Sequence, residues 1–295
     1  MKKFFLFVCL AGMLASCNSG TDYDATGIFG ATTVTVSAEI SGKIISLDVT
    51  EGDNIIADEM VGAIDTTALV LRRKQLQSQM ASIESSRPDI AKQIESLRQQ
   101  IAQQHTECRR IRNLLQDGAA TQKQADDAEA ALKILNGQLE ATLSSLNKNS
   151  ASISENALAV NYQIEQIDDQ IEKSRILAPI TGTVLAKYAE PREFAATGRQ
   201  LFKVADMHDV YLRAYFTSSQ LAALYLGQKV TVIADFGRDE HYEYPGKITW
   251  IAEESEFTPK SIQTNDSRAD LVYAVKIAVE NDGKLKLGLY GGVRL

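Results

Sequence analysis

The chain has 295 residues, a formal net charge of −7 and a pI near 5.2. That length suffices for two or three modest domains with real cores. The acidic balance, with no cluster of Lys and Arg, argues against a nucleic-acid surface. Aromatic residues make up only 7% and Trp250 is the sole tryptophan, a composition that suits long helices better than a compact enzyme.

The N-terminus reads as a targeting segment. Lys2 and Lys3 precede an apolar run from Phe4 to Leu14, and Leu14-Ala15-Ser16-Cys17 follows. A charged start, an apolar middle and small residues at a cleavage site mark a secretory signal, and the run is too short to span a bilayer as a helix. A small-residue site followed directly by Cys resembles the lipobox of bacterial lipoproteins. The resemblance implies that residues 1–16 are removed and that Cys17 is acylated on its sulfur and its new amine. The alternative is an ordinary signal with an unrelated cysteine. Several acyl chains anchor stably, at about 0.8 kcal/mol per buried methylene. Residues 17–30 are expected to be the lipidated start and a linker. Loss of the signal leaves 29 basic against 38 acidic residues, a charge of −9. Cys108 is then the remaining thiol besides Cys17, so no intrachain disulfide is expected.

Residues 66–175 carry heptads. Counting back from the tip, Ile111, Gln104, Leu97, Ile90, Ile83, Leu76 and Leu69 form one row. Leu115, Cys108, Ile101, Ile94, Arg87, Met80 and Arg73 form its partner. Such a seam predicts a coiled coil and gives Cys108 a packing role. Pro88 interrupts without changing the phase, which allows either a kink or two stacked helices. The second arm repeats the pattern through Leu132, Leu139, Leu146, Ile153, Val160 and Ile167, with Leu143, Ser150, Ala157, Ile164 and Ile171 beside them. Its polar middle, residues 147–156, predicts weaker packing. Arms of about 66–116 and 121–174 would each be roughly 75–80 Å long. A tip near 115–122 forces them antiparallel. Gly118 suits a helix end, and Thr121 with Gln124 has capping-box spacing.

The flanks of this hairpin match each other at a constant offset of 140. Ser41-Gly42-Lys43-Ile44-Ile45 aligns with Thr181-Gly182-Thr183-Val184-Leu185, Val61 with Leu201 and Ile64 with Val204. Two matching halves, residues 31–65 and 176–205, predict a small pseudo-symmetric β-sandwich split by the hairpin. The phrases SGKI…VTEGDNI and APITGTVLAKYAEPREF resemble the biotinyl/lipoyl-carrier fold. Thr66 and Thr67 follow Asp65 where a carrier would turn with its modified lysine, so a carrier role is disfavoured. Residues 206–295 read as short strands with a helix candidate at Ser218–Leu224, a small antiparallel β-barrel. The fold class expected is therefore α+β: a split lipoyl-like β-sandwich, an inserted α-helical hairpin and a β-barrel.

Together these features resemble periplasmic adaptors of the HlyD type, also called membrane fusion proteins, over essentially the whole mature chain. In that family the hairpin tip carries Arg, then Leu four, Ser eleven and often Asp sixteen residues later. Here those positions are Arg110, Leu114, Thr121 and Asp126, with Thr in place of Ser; Ala128 also fits. The resemblance implies that this tip docks to a TolC-type outer-membrane channel. Leu114 would be an apolar knob, Arg110 a forked donor and Thr121 a small hydroxyl contact. A purely local reading stands beside it: Thr121 caps a helix, Arg110 pairs with Asp126 or Asp127, and Leu114 fills the seam. The resemblance further implies a homo-hexameric ring, a barrel that meets an inner-membrane transporter, and a lipid anchor through Cys17 on the periplasmic side of a Gram-negative envelope. With the sequence stopping at Leu295, soon after the barrel, the further membrane-proximal domain of many adaptors of resistance-nodulation-division pumps is expected to be absent. That tilts the transporter toward the ABC type over the proton-driven RND type.

Chemistry finds little support. His105, His208 and His241 show no metal-ligand spacing, and no P-loop or nucleophile elbow is present, so neither catalytic residues nor a cofactor are expected. The acidic run Glu253-Glu254-Ser255-Glu256 reads as a solvated loop or strand end, or as a cation or pump contact. The competing role is a structural coiled-coil lipoprotein tether, which has no need of Arg110 and Leu114 at a turn.

Overall fold

A computed structural model describes residues 23–237, 241–257 and 271–295. The signal segment and Cys17 lie outside the described residues. In chain order, β1 (Ala25–Ser37), β2 (Gly42–Leu47), β3 (Asn54–Ile55) and β4 (Met60–Ile64) lead into α1 (Thr67–Ser85), α2 (Ile90–Gln116) and α3 (Gln122–Glu172). Then come β5 (Arg175–Leu177), β6 (Gly182–Lys187), β7 (Phe194–Ala195), the long β8 (Gln200–Thr217), α4 (Ser218–Leu221), β9 (Lys229–Asp235), β10 (His241–Ile251), β11 (Glu256–Phe257), β12 (Leu271–Glu280) and β13 (Tyr290–Arg294). The expected mixed α+β architecture is the one observed.

The two sandwich halves are interlocked rather than stacked. The short β3 of the first half pairs with β6 of the second, and β7 of the second pairs with β2 of the first. The backbone repeats the offset bond for bond. Gly52 N–H donates to Val184 at 2.9 Å, and Arg192 N–H donates to Ile44 at 2.8 Å; Asp58 N–H donates to Ala178, and Gly198 N–H to Ala38. Ile44, Leu47, Ile64, Val184, Leu201, Phe202 and Val204 close one core between the halves. Gly182 has no alternative: a Cβ there would lie 2.2 Å from the Ala205 carbonyl oxygen. Each half supplies the strand the other lacks, so the fold has to be completed across the inserted hairpin.

The barrel closes through the strand order β12-β10-β9-β13-β1-β8, with β8 pairing back onto β12. Strand alternation drives it: Leu212, Ala214 and Phe216 of β8 are fully buried, while Tyr211, Arg213 and Tyr215 face outward. Phe29 and Ala31 of β1 join this core. The stretch expected as linker, residues 17–30, therefore ends early, because Ala25–Gly30 is a barrel strand between β13 and β8. Its Thr-, Gly- and Ala-rich composition hid alternate burial. β1 and β8 run on together past a bulge between Ala31 and Thr33 into the sandwich, so two continuous strands join the domains.

The heptad rows face the partner arm. Every member of both first-arm rows is buried or half-buried except Arg87. Pro88 does break the arm: α1 ends at Ser85, and Asp89 caps α2 by accepting from Lys92 N–H at 3.1 Å. Missing its own N–H, proline cannot continue α1, and it stands just before the new cap. The register survives the break. Arg73 meets Asp168, Arg87 meets Ser154 and Arg112 meets Glu129, and each pair's numbers add to the same total. Near the tip the second-arm seam includes Leu132, as its row predicts, but also Ala125, Ala128 and Leu135, which the sequence reading left out. The row through Leu143 begins only beyond them. The spacing shifts by one residue around Thr142–Leu146, a stutter that locally unwinds the pairing.

Candidate functional site

The hairpin tip is built by two helix caps. At the end of α2, Gly118 takes φ +75°. Its N–H donates to Leu115 at 3.1 Å, and Ala119 N–H donates to Leu114 at 2.8 Å. This is the six-to-one, five-to-two pattern that ends a helix through a left-handed glycine. At the start of α3, Thr121 Oγ1 accepts from Gln124 N–H while the Gln124 side chain accepts from Thr121 N–H at 2.8 Å, the reciprocal box the spacing predicts. Both turns are satisfied locally, so the tip is held without help from a partner.

Four sequence-singled residues surround these caps, and all four face solvent. Leu114 is 39% exposed, because the seam at this level is taken by Ile111 and Leu115. It does not fill the seam. Arg110 pairs with Glu107 on its own helix at 2.8 Å, not with Asp126 or Asp127, and its side chain stays 69% exposed. The hydrogen bond and charge of Glu107 raise the guanidinium pKa above its ordinary value. Asp126 accepts from Gln122 Nε2 at 2.8 Å. Among the described residues no hydrogen bond or ion pair joins Arg110 to Thr121 or Asp126. Ala128 is buried, and its carbonyl accepts from Cys108 Sγ–H at 3.1 Å and from Gln104 Nε2 at 3.2 Å. Cys108 is thus a packed core thiol.

Sequence reasoning missed the clasp behind the tip. Arg112 and Glu129 bridge the two arms at 2.5 Å. The antiparallel register could have found it, since both lie equally far from the turn. With the Gln104–Cys108–Ala128 cluster it fixes the last turns of the hairpin, leaving Arg110 and Leu114, an i,i+4 pair on one helix face, presented outward.

Among the described residues no group of three or more His, Cys, Asp or Glu is placed to hold a metal. No described helix is long and apolar enough to cross a membrane. Glu256 of the acidic run begins β11 and pairs with Arg213 at 2.5 Å, while Glu253 and Glu254 are exposed.

Comparison with known proteins agrees with this architecture. Residues 32–206 match the family described as RND MFP, barrel-sandwich hybrid domain. The UPF0194 membrane protein YE2891 of Yersinia enterocolitica is 27% identical, over 99% of this chain and 98% of its own length. A UPF0194 membrane protein of Citrobacter koseri is 24% identical over 87% of this chain and 83% of its own. Among solved structures, MacA from Actinobacillus actinomycetemcomitans superimposes with a TM-score of 0.58 at 19% identity, covering 94% of this chain and 79% of MacA. A MacA–MexA chimera carrying the Pseudomonas aeruginosa MexA α-hairpin domain gives 0.56 at 21%, covering 91% and 76%. These two likenesses are likenesses of fold.

Proposed function

The chain belongs to the RND membrane fusion protein family through its barrel-sandwich hybrid domain, and from that premise we propose that it is a periplasmic adaptor of the HlyD type. Membrane fusion proteins are non-enzymatic structural components, so its work is to connect. In this reading the hairpin reaches a TolC-type outer-membrane channel and the barrel meets an inner-membrane transporter, of ABC type in preference to RND type. Cys17 is acylated and tethers the chain to a membrane on the periplasmic side. Six copies form a ring, with the sandwich domains side by side around a conduit.

The observation that carries the proposal is Leu114. A large apolar side chain stands outside the seam at the end of a long coiled coil, beside the exposed Arg110, on a tip whose own polar groups are already capped. A spacer gains nothing from an exposed leucine there, whereas a docking contact gains apolar burial and a forked donor for carbonyls or carboxylates. Arg110, Leu114, Thr121 and Asp126 are the proposed contact set. A photo-crosslinking residue placed at Leu114 in living cells tests it. Covalent capture of an outer-membrane channel protein is the expected result. Capture confined to other copies of this chain, with the protein correctly exported, would favour the tether.

A further inference from the structure

The barrel has two unlike ends. At one, β1 and β8 continue into the sandwich. At the other lie the β8–β9 connection with α4, the β10–β11 turn, the start of β12 and Tyr23, just ahead of β1. That far end carries large apolar side chains turned to solvent. Tyr225 and Leu226, in the β8–β9 connection, are each 65% exposed. Phe257, 75% exposed, stands across the β11–β12 pair from Leu271, 51% exposed.

Two lysines flank the first pair. Lys229 and Lys247 are direct cross-strand partners, both exposed. Lys247 also lies against the Gly227 turn that displays Leu226: a Cβ on Gly227 would be 3.8 Å from Lys247 Cε. Like charges directly opposite each other on a sheet are destabilising, and among the described residues neither lysine has an ion-pair partner. Such a pair gains from an anionic partner.

The sequence says which surface lies near. Cys17 is six residues before Tyr23, and a fully extended chain spans at most about 20 Å over that length. Tyr23 is held to the barrel: its ring packs where a Cβ on Gly292 would stand, and the next residue, Asp24, accepts through its side chain from Leu295 N–H at 2.8 Å. An acyl chain on Cys17 therefore brings this end of the barrel to the bilayer surface, and not the hairpin.

We propose that this end of the barrel is a lipid-surface contact, with Tyr225, Leu226, Phe257 and Leu271 entering the interfacial zone and Lys229 and Lys247 facing headgroup phosphates. Aromatic and aliphatic groups with adjacent lysines suit that zone, where rings sit at headgroup level and ammonium groups stay wet. Exposed Glu253 and Glu254 in the neighbouring turn offset the lysines, so apolar insertion supplies the affinity and the lysines set orientation. The contact orients the hairpin away from the anchoring membrane. The inference rests on the proposed N-terminal anchor only for placing the barrel near lipid.

The test supplies that tether artificially and contains neither transporter nor channel, so its outcome is independent of the adaptor reading and of acylation. The mature chain, carrying an N-terminal histidine tag, is held on phosphatidylcholine–phosphatidylglycerol vesicles by nickel-chelating lipid. The probe is Tyr225→Trp in a Trp250→Phe background, which leaves one indole in the loop. The expected result is a blue-shifted emission that acyl-brominated lipid quenches. Without the tether, Tyr225→Ser with Leu226→Ser should lower vesicle partition at least about tenfold while its unfolding curve stays that of the parent. A tethered, folded protein whose indole emission neither shifts nor is quenched would overturn the proposal. So would a double variant that partitions as well as the parent.

Discussion

Gly52 and Arg192 stand at equivalent points of the two sandwich halves and share a left-handed backbone, with φ of +97° and +79°. Each donates its N–H across the sandwich to the other half. The same turn has been kept with a glycine in one half and an arginine in the other. A left-handed residue with a Cβ costs about 1–2 kcal/mol. Arg192→Gly is therefore expected to stabilise the fold by about 0.5–1 kcal/mol, after the entropy that glycine adds to the unfolded chain. Gly52→Ala should destabilise by about 1 kcal/mol, through backbone strain alone, since no atom lies within 4 Å of the added Cβ. Paired urea titrations check both signs.

Leu76 and Leu114 separate seam from surface. Leu76 is 3% exposed and packs with Val160 and Ile164, so Leu76→Ala is expected to cost about 2–4 kcal/mol. Leu114→Asp should change stability by less than about 0.5 kcal/mol and leave ring assembly intact, yet abolish export. Denaturant midpoints, sizing and an efflux assay read the three quantities. Full export by Leu114→Asp would remove the docking role.

Thr121 serves as a cap and is also a proposed contact, and two substitutions divide the roles. Thr121→Ala loses the box and should cost about 1 kcal/mol. Thr121→Asp keeps an N-cap acceptor and suits the helix dipole, so its stability should match the parent while channel capture falls. Equal capture by both proteins would leave Thr121 a cap alone.

Asp65 sits where the sandwich enters the hairpin and accepts from Thr67 Oγ1–H and N–H at 2.6 and 2.8 Å. Those bonds, then nearby Lys43, hold its pKa below the ordinary carboxylate value; Asp53 is lowered likewise by Thr50. A depressed folded pKa gives stability that is present above the unfolded value, near 3.9, and is lost as pH falls through the folded one. Asp65→Asn should therefore shrink the stability lost between neutral pH and the acid limb. Melts across that range would show a smaller drop than in the parent.

Cys17→Ala should leave the precursor unacylated and uncut by the lipoprotein peptidase. Metabolic labelling with a fatty-acid analogue and gel mobility read both; a normally anchored, processed product would count against the lipobox.

The split sandwich was legible because its offset is carried by buried residues: Ile44 with Val184 and Ile64 with Val204 repeat burial as well as identity class. The hairpin was legible because heptads are a long signal, and Pro88 could be placed but not resolved between kink and break until Asp89 was seen capping. The barrel strand at Ala25–Gly30 was hidden by small residues whose burial comes from neighbours distant in sequence. The second seam near the tip was obscured by alanine, which packs in a coiled coil without announcing itself as apolar core. At the tip, spacing found the exposed residues but not the salt-bridge partner: the sequence reading looked across the turn to Asp126 and Asp127, whereas Arg110 pairs with Glu107, three residues back on its own helix.

A bridge between two membranes is read out by a gentle detergent pull-down of tagged protein from native membranes with the partners identified. The account predicts an ATP-binding transporter together with a TolC-type channel; a proton-driven pump in its place would keep the bridge and change only the pump class. Recovery of neither pump nor channel, under conditions that preserve a known efflux complex, would contradict it and leave the coiled-coil tether as the better description.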